Sequence, residues 1–497
     1  MSESRGSIFR SPFLSSSYPP PLPSAHLRRS ASTIPPVSSA PHHPTHALFS
    51  WSRITHDQAA TVTLQKMMNH GNQLPLEVIL LVLDRFKESE QFSATRRRET
   101  GRSAALVCRS LREVGTSMVW SDVKQSLGKQ ERELKTILEN ERIAAKVRHL
   151  SLVAESTFHR TNFVESDFAQ LLPRLCNLQH LELVNLPAGV LDQFFTSSPS
   201  SLPCDEFCLG LYCPNGHRIP PDQLRNPFGP TLRSLTIKQK TAEWSRPQEL
   251  LSLLSRIPTL RQVNLELNLC LVDPSRGRTQ GQEMEDVQAI SNLEVDPIPI
   301  DSLTVILTGG SSRLNTAVLA VLLNKVVIKD KLHSLRIKHL AGAPEENWIP
   351  IFPSLSTFLL ELPSVSFSNH LPVLARNIPQ SHQLRSLFLR VLNYASQLGR
   401  TTTAPPRVLK RFLDSLPPHL EEIDLAITFP GGPHGEPLNS FLQDRRQMAL
   451  QQISFTERTQ EAQREFRGVS WVRKQQDDDG SISWQVSREG SIEYTYI

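Results

Sequence analysis

The 497-residue sequence has few cysteines, few aromatics and no long apolar run, and each shortage argues against a class of protein. Six cysteines (Cys108, Cys176, Cys204, Cys208, Cys213 and Cys270), with no secretory apolar segment, speak against a disulfide framework. They point to reduced thiols in the cytoplasm or nucleus. The longest apolar run, residues 317–323, falls far short of the ~20 residues that a membrane span needs, so no membrane partner is expected. An excess of one charge is also missing. The net charge is +5, and basic and acidic residues alternate along most of the chain, so no nucleic-acid footprint follows. The sequence contains no His-Glu-x-x-His and no Gly-x-Ser-x-Gly, and Gly309-Gly310 lacks the Gly-Lys-Ser/Thr that would complete a phosphate loop. The chain is expected to be no enzyme and to carry no cofactor.

What is present divides into five stretches. Residues 1–70 are rich in Ser and Pro, lack apolar periodicity and are expected to be a disordered tail. In residues 71–125, Pro75 suits the first turn of a helix, and Leu76, Ile79, Leu80 and Leu83 recur at helical spacing. Val78, Leu81 and Val82 fall on a second side. One side of this helix can pack on Ala104, Val107, Cys108 and Leu111, and the other then needs a further element or a partner. Between them, residues 87–102 read as a loop carrying Arg96, Arg97 and Arg98. Residues 126–146 read as an amphipathic connector helix, with Leu134, Ile137, Leu138 and Ala145 at helical spacing.

From residue 147 to 430 one spacing keeps returning: apolar, two residues, apolar, one residue, apolar. Leu178/Leu181/Leu183, Leu260/Val263/Leu265, Leu384/Leu387/Leu389 and Leu420/Ile423/Leu425 are examples. Such a period is the signature of leucine-rich repeats, each a short strand with a helical or irregular return. Residues 431–497 form a cap or tail, largely polar and helical over 438–466 and then alternating as short strands around 469–472, 482–486 and 492–497.

The stretch 74–123 resembles an F-box. The resemblance rests on Leu74 and Pro75, an apolar helix from Val78 to Leu83, the run Leu106-Val107-Cys108-Arg109, and Trp120. Leu111 stands where that family often has tryptophan. The resemblance implies a fold with a small all-α F-box three-helix unit followed by an irregular leucine-rich-repeat solenoid, α/β overall. It also implies docking on the adaptor subunit of an SCF-type cullin–RING ubiquitin ligase, through Leu74, Pro75, Val78, Ile79, Val82, Leu106, Val107, Cys108 and Trp120. The repeats would then hold an unknown target protein. The competing reading is a leucine-rich-repeat scaffold without ubiquitin chemistry.

Metal binding has one candidate: Cys204, Cys208, Cys213 and His217 are soft-ligand types within fourteen residues. Their spacing matches no common zinc module, and Cys204 occupies a repeat position that should point into the core, so no metal is expected.

Overall fold

Leucine, isoleucine and valine at alternate positions, one set buried and the next facing out, build a fourteen-stranded sheet whose strand order is the order of the sequence. The computed structural model describes most of residues 76–488. Residues 1–75 and 489–497 lie outside the described residues, as do 155–164, 212–227, 240–246, 270–279, 339–349, 393–405, 429–439, 442–448, 457–468, 477–481 and some shorter stretches. The expected disordered tail and the alternating segment at 492–497 therefore fall outside what is described.

Three helices come first: α1 (Leu76–Glu88), α2 (Ala94–Val107) and α3 (Arg109–Trp120). Strand β1 (Asp122–Leu127) follows directly, then helices α4 (Arg132–Glu139) and α5 (Glu141–Ala144). Asn140 caps α5 by accepting from the amides of Arg142 and Ile143. Next come β2 (His149–Ala154), α6 (Glu165–Leu171), β3 (His180–Val184), β4 (Glu206–Leu211) and β5 (Ser234–Gln239). The chain continues through α7 (Pro247–Ser255), β6 (Gln262–Asn268), α8 (Gln280–Ser291), β7 (Ser302–Thr308), α9 (Ser312–Val321), β8 (Ser334–Lys338) and β9 (Thr357–Pro363). It closes with α10 (Phe367–Asn377), β10 (Ser386–Leu392), α11 (Pro406–Asp414), β11 (Glu422–Thr428), β12 (Gln452–Thr456), β13 (Val469–Gln476) and β14 (Ile482–Arg488). Strands β1 to β12 pair in parallel, each with its sequence neighbours. The last two turn antiparallel.

The recurring apolar triplet explains this register. In Leu178/Leu181/Leu183 the first residue is buried at the entry to β3 and the other two point inward from the strand. The same holds from Val147/Leu150/Leu152 to Leu420/Ile423/Leu425, and the inward rows join in one continuous core. Each fully buried leucine contributes on the order of 2 kcal/mol by removal from water. Gly309, with φ 67°, turns the chain out of β7, and Ser311 caps α9 by accepting from the Leu314 amide.

The expected division into a small all-α three-helix unit and a separate leucine-rich-repeat solenoid is corrected. The chain forms an α/β fold around one parallel sheet, and neither expected body stands as drawn. Strand β1 begins inside the stretch read as all-α and pairs with β2 from Asp122↔His149 to Leu127↔Ala154. Helix α3 runs into β1 through Ser121 alone, and Trp120 packs on the sheet's core. The helices do share a small cluster, Leu83, Ala104, Leu111 and Met118, with Ile79, Leu80 and Val114 against it. At the far end the parallel order gives way to an antiparallel pair in the same sheet, which a uniform stack of repeats does not predict. Two local expectations change as well. Arg96, Arg97 and Arg98 lie in α2 and not in a loop. Within 438–466, expected to be helical, residues 452–456 are strand β12, because parallel pairing with β11 satisfies their backbone.

Candidate functional site

Two surfaces carry the side chains that the sequence singled out. The first is on α1 and α2. Helix α1 buries Leu83 and rests Ile79 and Leu80 on the small helical cluster. Its other side leaves Val78 39%, Leu81 64% and Val82 38% exposed, Leu76 at the start of the helix is 39% exposed, and on α2 Leu106 is 87% exposed. A singly exposed apolar side chain is ordinary, but Val78, Leu81 and Val82 together on one side of a helix make an uncovered apolar face.

The helices beneath are held close. Gly101 of α2 and Gly115 of α3 are both buried, and a Cβ on Gly101 would stand 2.7 Å from the Gly115 carbonyl and 2.7 Å from Met118 Cβ. Charge then fixes the pair to the sheet. Arg98 donates to the Val119 carbonyl (3.1 Å) and pairs with Glu133 of α4 at 2.8 Å. Arg97 pairs with Asp122 of β1 at 2.8 Å, and His149 of β2 donates to the same carboxylate. Burial raises the Asp122 carboxyl, but the His149 hydrogen bond and the charges of His149 and Arg97 outweigh it and hold the group below its ordinary range.

Of the nine residues predicted to meet the ligase adaptor, Val78, Val82 and Leu106 are exposed. Ile79 turns to the helical cluster and Trp120 to the sheet core, so these two are packing residues. Leu74, Pro75 and Cys108 lie outside the described residues, as does the side chain of Val107. The predicted contact set omitted Leu76 and Leu81, both exposed. Leu81 shares the helical side of Val78 and Val82, so its signal was present in the spacing.

The second surface is the outward face of the sheet. Its first row runs Asp122, His149, His180, Glu206, Ser234, Gln262, Ser302, Ser334, Thr357, Ser386 and Glu422. His180 donates to Glu206 (3.0 Å) and meets His149 edge-on at 6.0 Å between centroids. In the next row Ser151 donates to Glu182 at 2.5 Å. Towards β11 the face is charged: Lys338 pairs with Glu361 (3.0 Å), and Arg390 with Glu361 (3.6 Å) and Asp424 (2.9 Å). Arg390 also lies 5.9 Å from the Phe388 ring centroid. Burial pushes the Asp424 carboxyl up, against the pull of Arg390.

In the cysteine cluster, Cys204 is buried with its thiol donating to the Glu206 carbonyl at 2.9 Å. Burial pushes that thiol up to about 12. Cys208 faces outward between Glu182 and Thr236, and Cys213 and His217 lie outside the described residues. Among the described residues no group of three or more His, Cys, Asp or Glu is placed to hold a metal ion. No described helix is long and apolar enough to cross a membrane.

Compared with known proteins, the chain matches no protein-family model and no curated protein.

Proposed function

We propose that the chain is a substrate-recognition adaptor of an SCF-type cullin–RING ubiquitin ligase, working in the cytoplasm or nucleus. The helices at 74–123 would dock on the ligase's adaptor subunit, and the outward face of the sheet would hold a target protein. The chain performs no chemistry in this reading; it brings a target to a partner that does. One observation carries it: the uncovered Val78, Leu81 and Val82 on α1, in the stretch whose sequence resembles an F-box. An apolar face of this kind, on a helix whose opposite side is already packed, is what a partner helix groove buries.

The test is a pull-down with the purified ligase adaptor subunit, using the full chain and a Val78→Glu, Leu81→Glu variant. Both side chains are exposed, so the variant should keep the wild-type circular dichroism spectrum. Binding by wild type, lost in the variant, supports the reading. A well-folded wild type that does not bind overturns the ligase role and leaves a scaffold that binds through its sheet face alone.

A further inference from the structure

Outward-facing charges on the sheet are almost all answered. Asp122 meets Arg97 and His149, His180 meets Glu206, Glu182 takes the Ser151 hydroxyl, and Lys338, Glu361, Arg390 and Asp424 form one network. Lys238 and Glu266 are neighbours in register and of opposite sign. From β2 to β10, among the described residues, Arg336 alone has neither a bonded partner nor an oppositely charged neighbour in register. It is exposed, and its flanking residues in register are Thr304 and Leu359. Around it Glu361 and Asp424 are taken up by Lys338 and Arg390, and Glu422, the other outward carboxylate of β11, stands in the first row three strands from Arg336, so the guanidinium itself is left without a paired carboxylate.

The surroundings narrow what would answer that charge. In the same row Leu359, 5% exposed, fills the space between Arg336 and the half-buried Phe388, so the strip from the guanidinium to β10 offers one accessible apolar side chain, that of Phe388. Beside the strip, Ser334, Thr357 and Ser386 form a row of half-buried hydroxyls. A guanidinium presents a planar fork that matches a carboxylate with two parallel hydrogen bonds. Hydroxyls donate to or accept from a peptide backbone without regard to sequence.

We propose that the outward face of β8 to β10 is a docking site for an acidic segment of a partner protein, in which an Asp or Glu carboxylate pairs with Arg336, a flanking apolar side chain rests on Phe388, and the backbone meets the hydroxyls of Ser334, Thr357 and Ser386. This rests on the target-binding half of the function proposed above and not on ligase docking.

The test therefore uses no ligase subunit. A displayed library of random twelve-residue peptides is selected on the full wild-type chain. The enriched peptides are then measured by fluorescence anisotropy against wild type, Arg336→Glu, Arg336→Gln and Arg313→Glu. Arg313 is exposed on α9 and carries the same change of charge away from this face. The expected outcome is peptides rich in Asp and Glu next to an apolar residue, bound at least about tenfold more weakly by both Arg336 variants and unchanged by Arg313→Glu. Thermal melting confirms that the variants fold. Enrichment of neutral or basic peptides, equal binding by the Arg336 variants, or no enrichment on a folded chain overturns the proposal. Any of these leaves the pull-down result intact, and failure of the pull-down leaves this one intact.

Discussion

Asp122 sits where helix meets sheet, held by Arg97 on one side and His149 on the other. Its folded-state affinity for protons is lowered from the ordinary value of 3.8, so its ionised form stabilises the fold above that pH. This contribution disappears as pH falls through the lowered folded value. Replacing Asp122 with Asn should cost about 1 kcal/mol at neutral pH, since the partly exposed cluster is screened by water. In thermal melts across pH, the gap between wild type and Asp122→Asn should be full above the ordinary carboxyl value and should narrow as pH falls through the lowered folded value, where both come to carry a neutral side chain. A gap that stays constant through that range would show that Asp122 acts through packing instead. Little of this cluster was legible in the sequence. Arg97 and His149 stand far from Asp122 along the chain, and charge alone does not say which acid each will meet. The exposed face of α1 was half legible: helical spacing put Val78, Leu81 and Val82 on one side, but only the packing of α1 on α3 shows that nothing covers them.

Among elements, the contact of α2 with α3 depends on two glycines. A Cβ on Gly115 would stand 2.6 Å from the Ala105 amide nitrogen, which is backbone and has nowhere to go. Gly115→Ala should therefore force the two helices apart. A loss of about 1–3 kcal/mol is expected, read as earlier urea unfolding of the α1–α3 region, with weaker pull-down by the ligase adaptor if that region docks. In the sheet, Leu303→Ala on β7 removes a fully buried side chain from a central strand and should cost about 3 kcal/mol by chemical denaturation. The sequence showed some elements and hid others for a physical reason. Strands β2 to β11 announce themselves because a buried parallel strand fills its inward positions with apolar side chains, the terminal Gln239 of β5 excepted. Strand β1 breaks that rule: Gln125 occupies an inward position, 6% exposed, and its amide donates to the Ser126 carbonyl. Strand β12 was hidden too, since Ile453 and Phe455 alternate with Gln452, Ser454 and Thr456 in a mostly polar stretch. Only its pairing with β11 decides it.

At the scale of the molecule, the sheet has two ends and a long middle. Each interior strand is bonded on both edges, while β1 and β14 have one partner each. Amide exchange should therefore be slowest in β5 to β10 and faster at both ends, as measured by mass spectrometry of peptic fragments. Equal protection from β1 to β14 would mean that the sheet opens only as a whole. The repeat spacing made a stack of strands legible but not its extent. It began at β2 and faded after β11, whereas the sheet takes in one more strand before and three after.

The agreement between strand order and sequence order also bears on synthesis. As the chain leaves the ribosome, every new strand from β2 on meets a partner that emerged just before it. No apolar strand has to wait in the open for a mate still unmade, which is the hazard that parallel sheets with distant pairings carry during translation.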